Sequence, residues 1–151
     1  MSEYDKCLAS AQKSLAMREH SSYQIKNKLA NKGFNTETIS NVVKELKDTG
    51  FQSDQRYLSE YIRYRQSQGH SKKKIIYELK SNGIDTELIS ENLSKFIDDY
   101  EILSNLALNK VNKQDLKDEK VIIKFMNHFK SRGFDNNIIL KVINNMKNYE
   151  N

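Results

Sequence analysis

Three glycines that stand 50 residues apart constrain the fold of this chain more than any other feature. Gly33, Gly83 and Gly133 lie in similar segments, which read LANKGFNTETIS, LKSNGIDTELIS and FKSRGFDNNIIL. Repetition at such a period is typical of proteins built from repeated structural units. A glycine tolerates the positive φ that ends a helix because it has no Cβ atom. Each glycine therefore predicts the end of a helix.

Apolar residues recur with the same period on both sides of these glycines. The spacings are i, i+4 before the glycine and i, i+4, i+7 after it, which are typical of helix faces. We predict that these positions form the core. The aligned triplets are Ile25, Ile75 and Phe125; Leu29, Leu79 and Phe129; Phe34, Ile84 and Phe134; Ile39, Ile89 and Ile139; Val43, Leu93 and Ile143; and Leu46, Phe96 and Met146.

Polar residues mark where the helices begin. Ser21 or Ser22, and Ser71, suit the N-cap of the middle helix of a repeat, and Thr36 and Thr86 suit the start of the next helix. The pattern predicts an all-α fold of three tandem three-helix repeats of about 50 residues in an elongated array with room for curvature. The predicted repeats are 1–50, 51–99 and 100–151. The predicted helices are 4–18, 22–32, 36–48, 54–68, 71–81, 86–98, 100–112, 117–131 and 136–148.

The composition agrees with a helical protein in a reducing compartment. The 151 residues include five glycines and no proline, so little interrupts long helices. The single cysteine, Cys7, excludes an internal disulfide and is expected to pack as a small apolar residue. The N-terminus lacks an apolar secretion segment, and no apolar run approaches the length of a membrane span. We expect a cytoplasmic monomer without membrane contact.

The positive charge is concentrated in the middle third of the chain. Between Arg56 and Lys80 seven basic residues face two acidic ones, whereas the remainder carries 18 of each, which leaves the whole net charge of +5 in this stretch. This asymmetry predicts an electropositive surface that faces a polyanion or an acidic protein groove.

Three arginines on the helix predicted for 54–68 differ in their expected roles. Arg56 and Arg63 lie opposite the apolar stripe of the helix, so we expect both to be free to meet a partner. Arg65 falls within the stripe and aligns with Leu15. This position favours a structural role, with the stem of Arg65 packed and its head paired at the helix end.

Three consecutive lysines, Lys72, Lys73 and Lys74, occupy the first turn of the helix predicted for 71–81. Lysine is unfavourable there because a helix N-terminus already carries partial positive charge. Backbone amides together with three ammonium groups would attract an anion. We therefore predict that the run binds a partner, although a solvated face is the simpler alternative.

Weaker basic candidates lie on the equivalent helices of the other repeats, where a solvated face is the favoured interpretation. They are Lys26, Lys28, Lys32, Lys124 and Arg132.

Two tyrosines of the middle repeat are candidates of a different kind. Tyr64 and Tyr77 would stack on nucleic-acid bases if they were exposed, but aromatic residues at helical spacing favour a core position.

No residue pattern indicates catalysis. His20, His70 and His128 have no cysteine or carboxylate at a metal-ligand spacing. Nucleophile motifs and phosphate-binding glycine loops are absent from the sequence. We predict no enzyme activity, no catalytic residue, no metal and no cofactor.

The middle segment, GFQSDQRYLSEYIRYRQSQGHSKKKIIYELKSNGI, resembles the RecX family of bacterial recombinase regulators. AMREHSSYQIKNKLANKGF in the first repeat and FKSRGF in the third are also similar to family patterns. The chain departs from the family at Gln24, Ser53 and Ser71, none of which changes a charge on the basic face.

The resemblance implies a protein that lies in the groove of the RecA filament on single-stranded DNA. It implies inhibition of ATP hydrolysis, strand exchange and coprotease activity, by blocked filament growth or by promoted disassembly. The residues that it nominates are Arg56, Arg63, Lys72, Lys73 and Lys74, with Arg65 as a further member.

Two other functions fit the same residues. One is a sequence-nonspecific DNA-binding protein that acts through phosphate contacts, and the other is a helical adaptor for a different protein. The sequence leaves open whether regulation is inhibitory or stimulatory, and whether the protein caps filament ends or lies along the groove.

Overall fold

The computed structural model describes residues 1–148, which contain nine α-helices and no strand. Two short 3-10 helices, Leu93–Lys95 and Asp115–Lys117, lie between them. The predicted all-α class is confirmed, and most helix ends fall within two residues of their predicted positions. The helices are α1 (Glu3–Met17), α2 (Ser22–Asn31), α3 (Thr36–Asp48), α4 (Asp54–Ser67), α5 (Lys72–Ser81), α6 (Thr86–Glu91), α7 (Asp99–Lys110), α8 (Glu119–Ser131) and α9 (Asn136–Asn148).

The described chain forms two compact units. The first comprises residues 1–61 and 78–92, and the second comprises residues 62–77 and the chain from Leu93 onward. Helices α4 and α5 contribute to both units. The division into repeats 1–50, 51–99 and 100–151 stays a prediction, and its last three residues, 149–151, lie outside the described part of the chain.

Each unit has its own apolar core. In the first unit, side chains from α1, α2 and α3 pack around Cys7, Leu29 and Val42. Cys7 is completely buried and unbonded to another cysteine, as the sequence predicts. In the second unit, residues from α7, α8 and α9 pack around Leu103 and Phe129.

The three repeated glycines end their helices as predicted. Gly33, Gly83 and Gly133 have φ angles of 90°, 80° and 94°. The residue after each glycine donates its N–H to a carbonyl in the last turn of the helix, which is the bond expected for a left-handed helix ending. These bonds run from Phe34 to Leu29, from Ile84 to Leu79 and from Phe134 to Phe129, at 3.3, 3.0 and 3.1 Å.

The predicted helix 86–98 is wrong, because α6 ends at Glu91. The side-chain amide of Asn92 donates to the Leu88 carbonyl at 2.7 Å. In a continuing α-helix the backbone N–H of Asn92 would donate to that same carbonyl, so the side chain competes with the helix. That N–H bonds instead to Ile89 at 3.0 Å. Leu93 is consequently 41% exposed rather than a core residue.

Candidate partner-binding surface

The lysine run lies at the N-terminus of α5, which the protein caps with its own side chains. Ser71 is fully buried, and its Oγ accepts a hydrogen bond from the Lys74 backbone N–H at 3.1 Å. The Asp99 carboxylate accepts from the Lys72 backbone N–H at 2.9 Å. Ser71 and Asp99 thus occupy the backbone N–H groups of Lys72 and Lys74, and the attraction of an external anion to this helix start stays a prediction.

The N-terminus of α2 in the first unit is capped in the same way. Ser21 Oγ accepts from the Gln24 backbone N–H at 3.1 Å, and the Asp54 carboxylate accepts from the Ser22 N–H at 2.9 Å. Ser21 rather than Ser22 is thus the cap. Asp54 begins α4 as Asp99 begins α7, so α2 and α5 are each capped by the first residue of the helix that opens the following three-helix segment.

Asp99 is partly desolvated in this position. Burial raises the pKa of its carboxyl above the usual 3.8, and the hydrogen bond from the Lys72 N–H opposes this rise. The carboxylate therefore fulfils a structural role at the start of α5, at some cost in ionisation free energy.

The three lysine side chains have different partners within the second unit. Lys73 pairs with Asp135 at 3.1 Å, and the two side chains are 75% and 69% exposed. Lys74 donates to the Ser131 carbonyl at the end of α8 at 3.1 Å. The half-buried Lys72 places Nζ 5.6 Å from the centre of the Phe96 ring. Lys72 and Lys74 therefore support packing, while Lys73 is accessible to solvent.

Arg132, a weaker candidate, connects the turn after α8 to the turn between α4 and α5. Its Nη1 donates to the Gln68 carbonyl and lies 3.3 Å from Nε2 of His70. The Ser71 N–H donates to the Arg132 carbonyl at 3.0 Å. The guanidinium is thus engaged inside the second unit, and a partner-binding role for Arg132 stays a prediction.

Arg56 belongs to the first unit and has a partner there, contrary to expectation. Its Nε lies 2.9 Å from Glu19 Oε1, and its Nη2 donates to the Phe51 carbonyl at 2.9 Å. The side chain is nevertheless 46% exposed. No local pattern signals this pairing, because Glu19 lies 37 residues away along the chain.

Arg63 and Arg65 belong to the second unit. Arg63 is exposed on α4. Arg65 is half-buried and donates to the Gln68 side chain at 3.0 Å, just beyond the helix end, which agrees with the predicted structural role. A further role of either arginine in binding a partner stays a prediction.

Tyr64 and Tyr77 are surface residues of the second unit. They are 59% and 72% exposed, so the expectation of core positions is wrong. The Tyr64 hydroxyl accepts a hydrogen bond from Gln68 Nε2 at 2.8 Å, and much of the Tyr64 ring lies in solvent. The buried faces of α4 and α5 are filled by other apolar side chains, namely Leu58, Ile62, Ile75 and Leu79. Both tyrosine rings therefore lie outside the core, although their spacing is helical.

The remaining weaker lysines lie on the surface of their own units. Lys26, Lys28 and Lys32 are exposed on or next to α2, and Lys32 donates to Ser10 Oγ at 2.7 Å. Lys124 is exposed on α8 in the second unit. Their role in partner binding stays a prediction.

Two kinds of site are absent from residues 1–148. No group of three or more histidine, cysteine, aspartate or glutamate side chains is placed there to hold a metal ion. None of the described helices is long and apolar enough to cross a membrane.

Comparison with known proteins gives one consistent family. The family model described as RecX, first three-helix domain, matches residues 7–46, and the second three-helix domain matches residues 53–93. A Regulatory protein RecX from Legionella pneumophila is 37% identical over 146 residues, which cover 94% of this chain and 95% of that protein. The protein of the same name from Haemophilus ducreyi is 34% identical and covers 81% and 80%.

A solved structure shows the same fold. The crystal structure of RecX from Lactobacillus salivarius superposes with a TM-score of 0.76, at 21% identity, over 95% of this chain and 96% of that one.

Proposed function

The chain belongs to the RecX family of regulatory proteins, and we propose that it is a non-enzymatic modulator of RecA. In this proposal it binds in the groove of the RecA filament on single-stranded DNA. It inhibits ATP hydrolysis, strand exchange and coprotease activity, either by blocking filament growth or by promoting disassembly. A partner that works on bacterial DNA implies that the protein acts in the cytoplasm.

The solvent exposure of Lys73 is the observation that carries the site assignment. Its pairing with Asp135 is a surface ion pair, and such pairs contribute less than about 1 kcal/mol. Lys73 can therefore exchange Asp135 for a carboxylate of a partner at little cost. Arg63 is also exposed on the second unit, and Arg56 supplies a similar exchangeable pair on the first.

The structure changes which lysine variants are informative. Replacing Lys72 or Lys74 by alanine would remove packing at Phe96 and the bond to the Ser131 carbonyl, so lost function could reflect altered structure. Lys73 and Arg63 are more exposed than Lys72 and Lys74, so Lys73→Ala and Arg63→Ala change the charge at the surface of the second unit. Lys120→Ala, on the exposed start of α8, is a matched control for the loss of one positive charge.

The proposed function is tested by measuring RecA ATPase activity on single-stranded DNA while each variant is titrated in. We expect the wild type and Lys120→Ala to inhibit equally. The Arg63→Ala, Lys73→Ala double variant should need about tenfold more protein for the same inhibition, because two exposed ion pairs at roughly 0.7 kcal/mol each add up to about 1.4 kcal/mol. No inhibition by the wild type would contradict the proposal.

A second function is favoured by the exposure of Tyr64 and Tyr77. Exposed aromatic rings near basic side chains are the groups that stack on the bases of single-stranded nucleic acid. In this alternative the protein acts through its own DNA contacts. Affinity for naked DNA would then fall steeply with salt concentration, because several phosphate contacts release counterions.

A further inference from the structure

A cleft in the second unit brings three nitrogen-bearing side chains together beside aromatic rings. It has a volume of about 410 Å³ and is formed by the end of α7, the 3-10 helix at residues 115–117 and one face of α8. Lys110, Lys124 and His128 line it, and the half-buried Val111 and Val121 form its apolar wall above the buried rings of Phe125 and Phe129. Cavities of this size commonly hold small molecules.

Two features of the second unit bring these three side chains to the same cleft. Lys124 and His128 are separated by one turn of α8, so their side chains share a face. Lys110 reaches over from α7, and its Nζ lies 6.0 Å from the centre of the Phe129 ring. The His128 ring packs edge-on against Phe129, with ring centres 4.8 Å apart.

The charges around this cleft favour an anion. One carboxylate, that of Asp115, lines it, and this carboxylate accepts a hydrogen bond from the Asn112 backbone N–H at 3.0 Å. The pKa of His128 is lowered by burial and then by the positive charges of Lys110 and Arg132. A bound anion would offset those charges and favour protonation of the ring.

We propose that this cleft binds an organic phosphate, with the phosphate among Lys110, Lys124 and His128 and the apolar body against Val111 and Val121. A phosphate group has three strong acceptor oxygens, which match the three donors better than the two oxygens of a carboxylate do. The apolar wall gives an organic phosphate an advantage over inorganic phosphate. This site goes beyond the proposed action on RecA and does not depend on it.

The proposal is tested by NMR of the histidine rings while AMP is titrated into the protein, with inorganic phosphate and adenosine as separate titrants. We expect AMP to shift the His128 resonances saturably and to leave His20 and His70 unchanged. The pKa of His128 should be higher with AMP bound than without it, which the pH dependence of its ring resonances measures. Inorganic phosphate and adenosine should each bind at least about tenfold more weakly than AMP, since each makes only part of the contacts.

Variants distinguish this cleft from general attraction to a basic protein. Lys124→Ala should weaken AMP binding about tenfold, because a hydrogen bond between charged groups is lost. Lys120→Ala removes the same charge from the same helix outside the cleft and should change affinity less than twofold. Equal losses in both variants would overturn the proposal. So would an unmoved His128 signal, or inorganic phosphate that binds as tightly as AMP.

Discussion

At the scale of single residues, Gly133 is required for two reasons, whereas Gly33 is required for one. Both have a strongly positive φ, 94° and 90°. A Cβ at Gly133 would lie 2.4 Å from Ser71 Oγ and 2.8 Å from Lys74 Cβ, while a Cβ at Gly33 would meet nothing within 4 Å. The sequence period predicts the backbone conformation of both glycines but not the close approach at Gly133.

The pair Gly33→Ala and Gly133→Ala separates these two effects. We expect Gly33→Ala to lower the free energy of unfolding by about 1–2 kcal/mol, through the left-handed backbone alone. Gly133→Ala should cost about 1–3 kcal/mol more, because Ser71 and Lys74 must move. Urea denaturation measures both. Equal losses would show that the close packing around Gly133 is unimportant.

Asp99 is a residue whose effect on stability depends on pH. Because folding raises its pKa above 3.8, the folded protein binds a proton at this carboxyl more readily than the unfolded chain does. Asp99 therefore contributes most to the free energy of unfolding below pH 3.8, and this contribution is lost as the pH rises through the pKa that Asp99 has in the folded protein.

Substitutions of Asp99 test this sign. Asp99→Asn keeps an oxygen that can accept from the Lys72 N–H and carries no charge to desolvate. At pH 7 we expect it to be at least as stable as the wild type, with the difference vanishing below pH 3.8. Asp99→Ala should be about 1 kcal/mol less stable than Asp99→Asn because it loses the cap. Thermal unfolding across this pH range is the measurement, and a wild type that outlasts Asp99→Asn at pH 7 would contradict the expectation.

At the scale of secondary structure, the sequence predicts regular helices well and irregular connections poorly. The glycine period and the apolar spacing are local signals, and they place Leu29, Leu79 and Phe129 correctly in the core. The end of α6 depends on the side chain of Asn92, which pairs with Gln55, 37 residues away. A pairing over that distance leaves no periodic trace in the sequence, so Leu93 was misplaced.

The connection that follows α6 is fixed by a single buried glutamine. Gln66 Nε2 donates to the Ile97 carbonyl at 2.9 Å, and the Ile97 N–H donates to Gln66 Oε1 at 3.2 Å. The Gln66 side-chain amide thus bonds to both the N–H and the carbonyl of Ile97, which lies outside the helices.

Gln66→Ala should lower the free energy of unfolding by about 1–3 kcal/mol, because it removes both partners of the Ile97 backbone. The Ile97 amide should also exchange with solvent deuterium faster than in the wild type. Gln114→Ala alters an exposed glutamine of the second unit whose side chain makes no cap hydrogen bond, and it should change stability by less than about 0.5 kcal/mol. A Gln66→Ala variant that matches Gln114→Ala would contradict the proposed role of Gln66.

At the scale of the whole molecule, the position of a charge along the chain does not specify its partner. The excess of basic residues in the middle third predicts an electropositive surface, and this stays a prediction. Within the protein, Lys74 binds a helix end, Arg132 binds a turn, and Arg56 and Lys73 have carboxylate partners in their own units. The sequence specifies where the charges fall along the chain, whereas their partners depend on which distant segments pack beside them.

We propose that the protein recognises the RecA filament, rather than naked DNA, through exposed basic side chains. The most direct measurement is its binding to preformed RecA filaments on single-stranded DNA and to the same DNA without RecA, at two salt concentrations. The account predicts much tighter binding to the filament at both concentrations, weakened by Arg63→Ala with Lys73→Ala and unchanged by Lys120→Ala. Equal affinity for filament and naked DNA, falling together as salt rises, would contradict it.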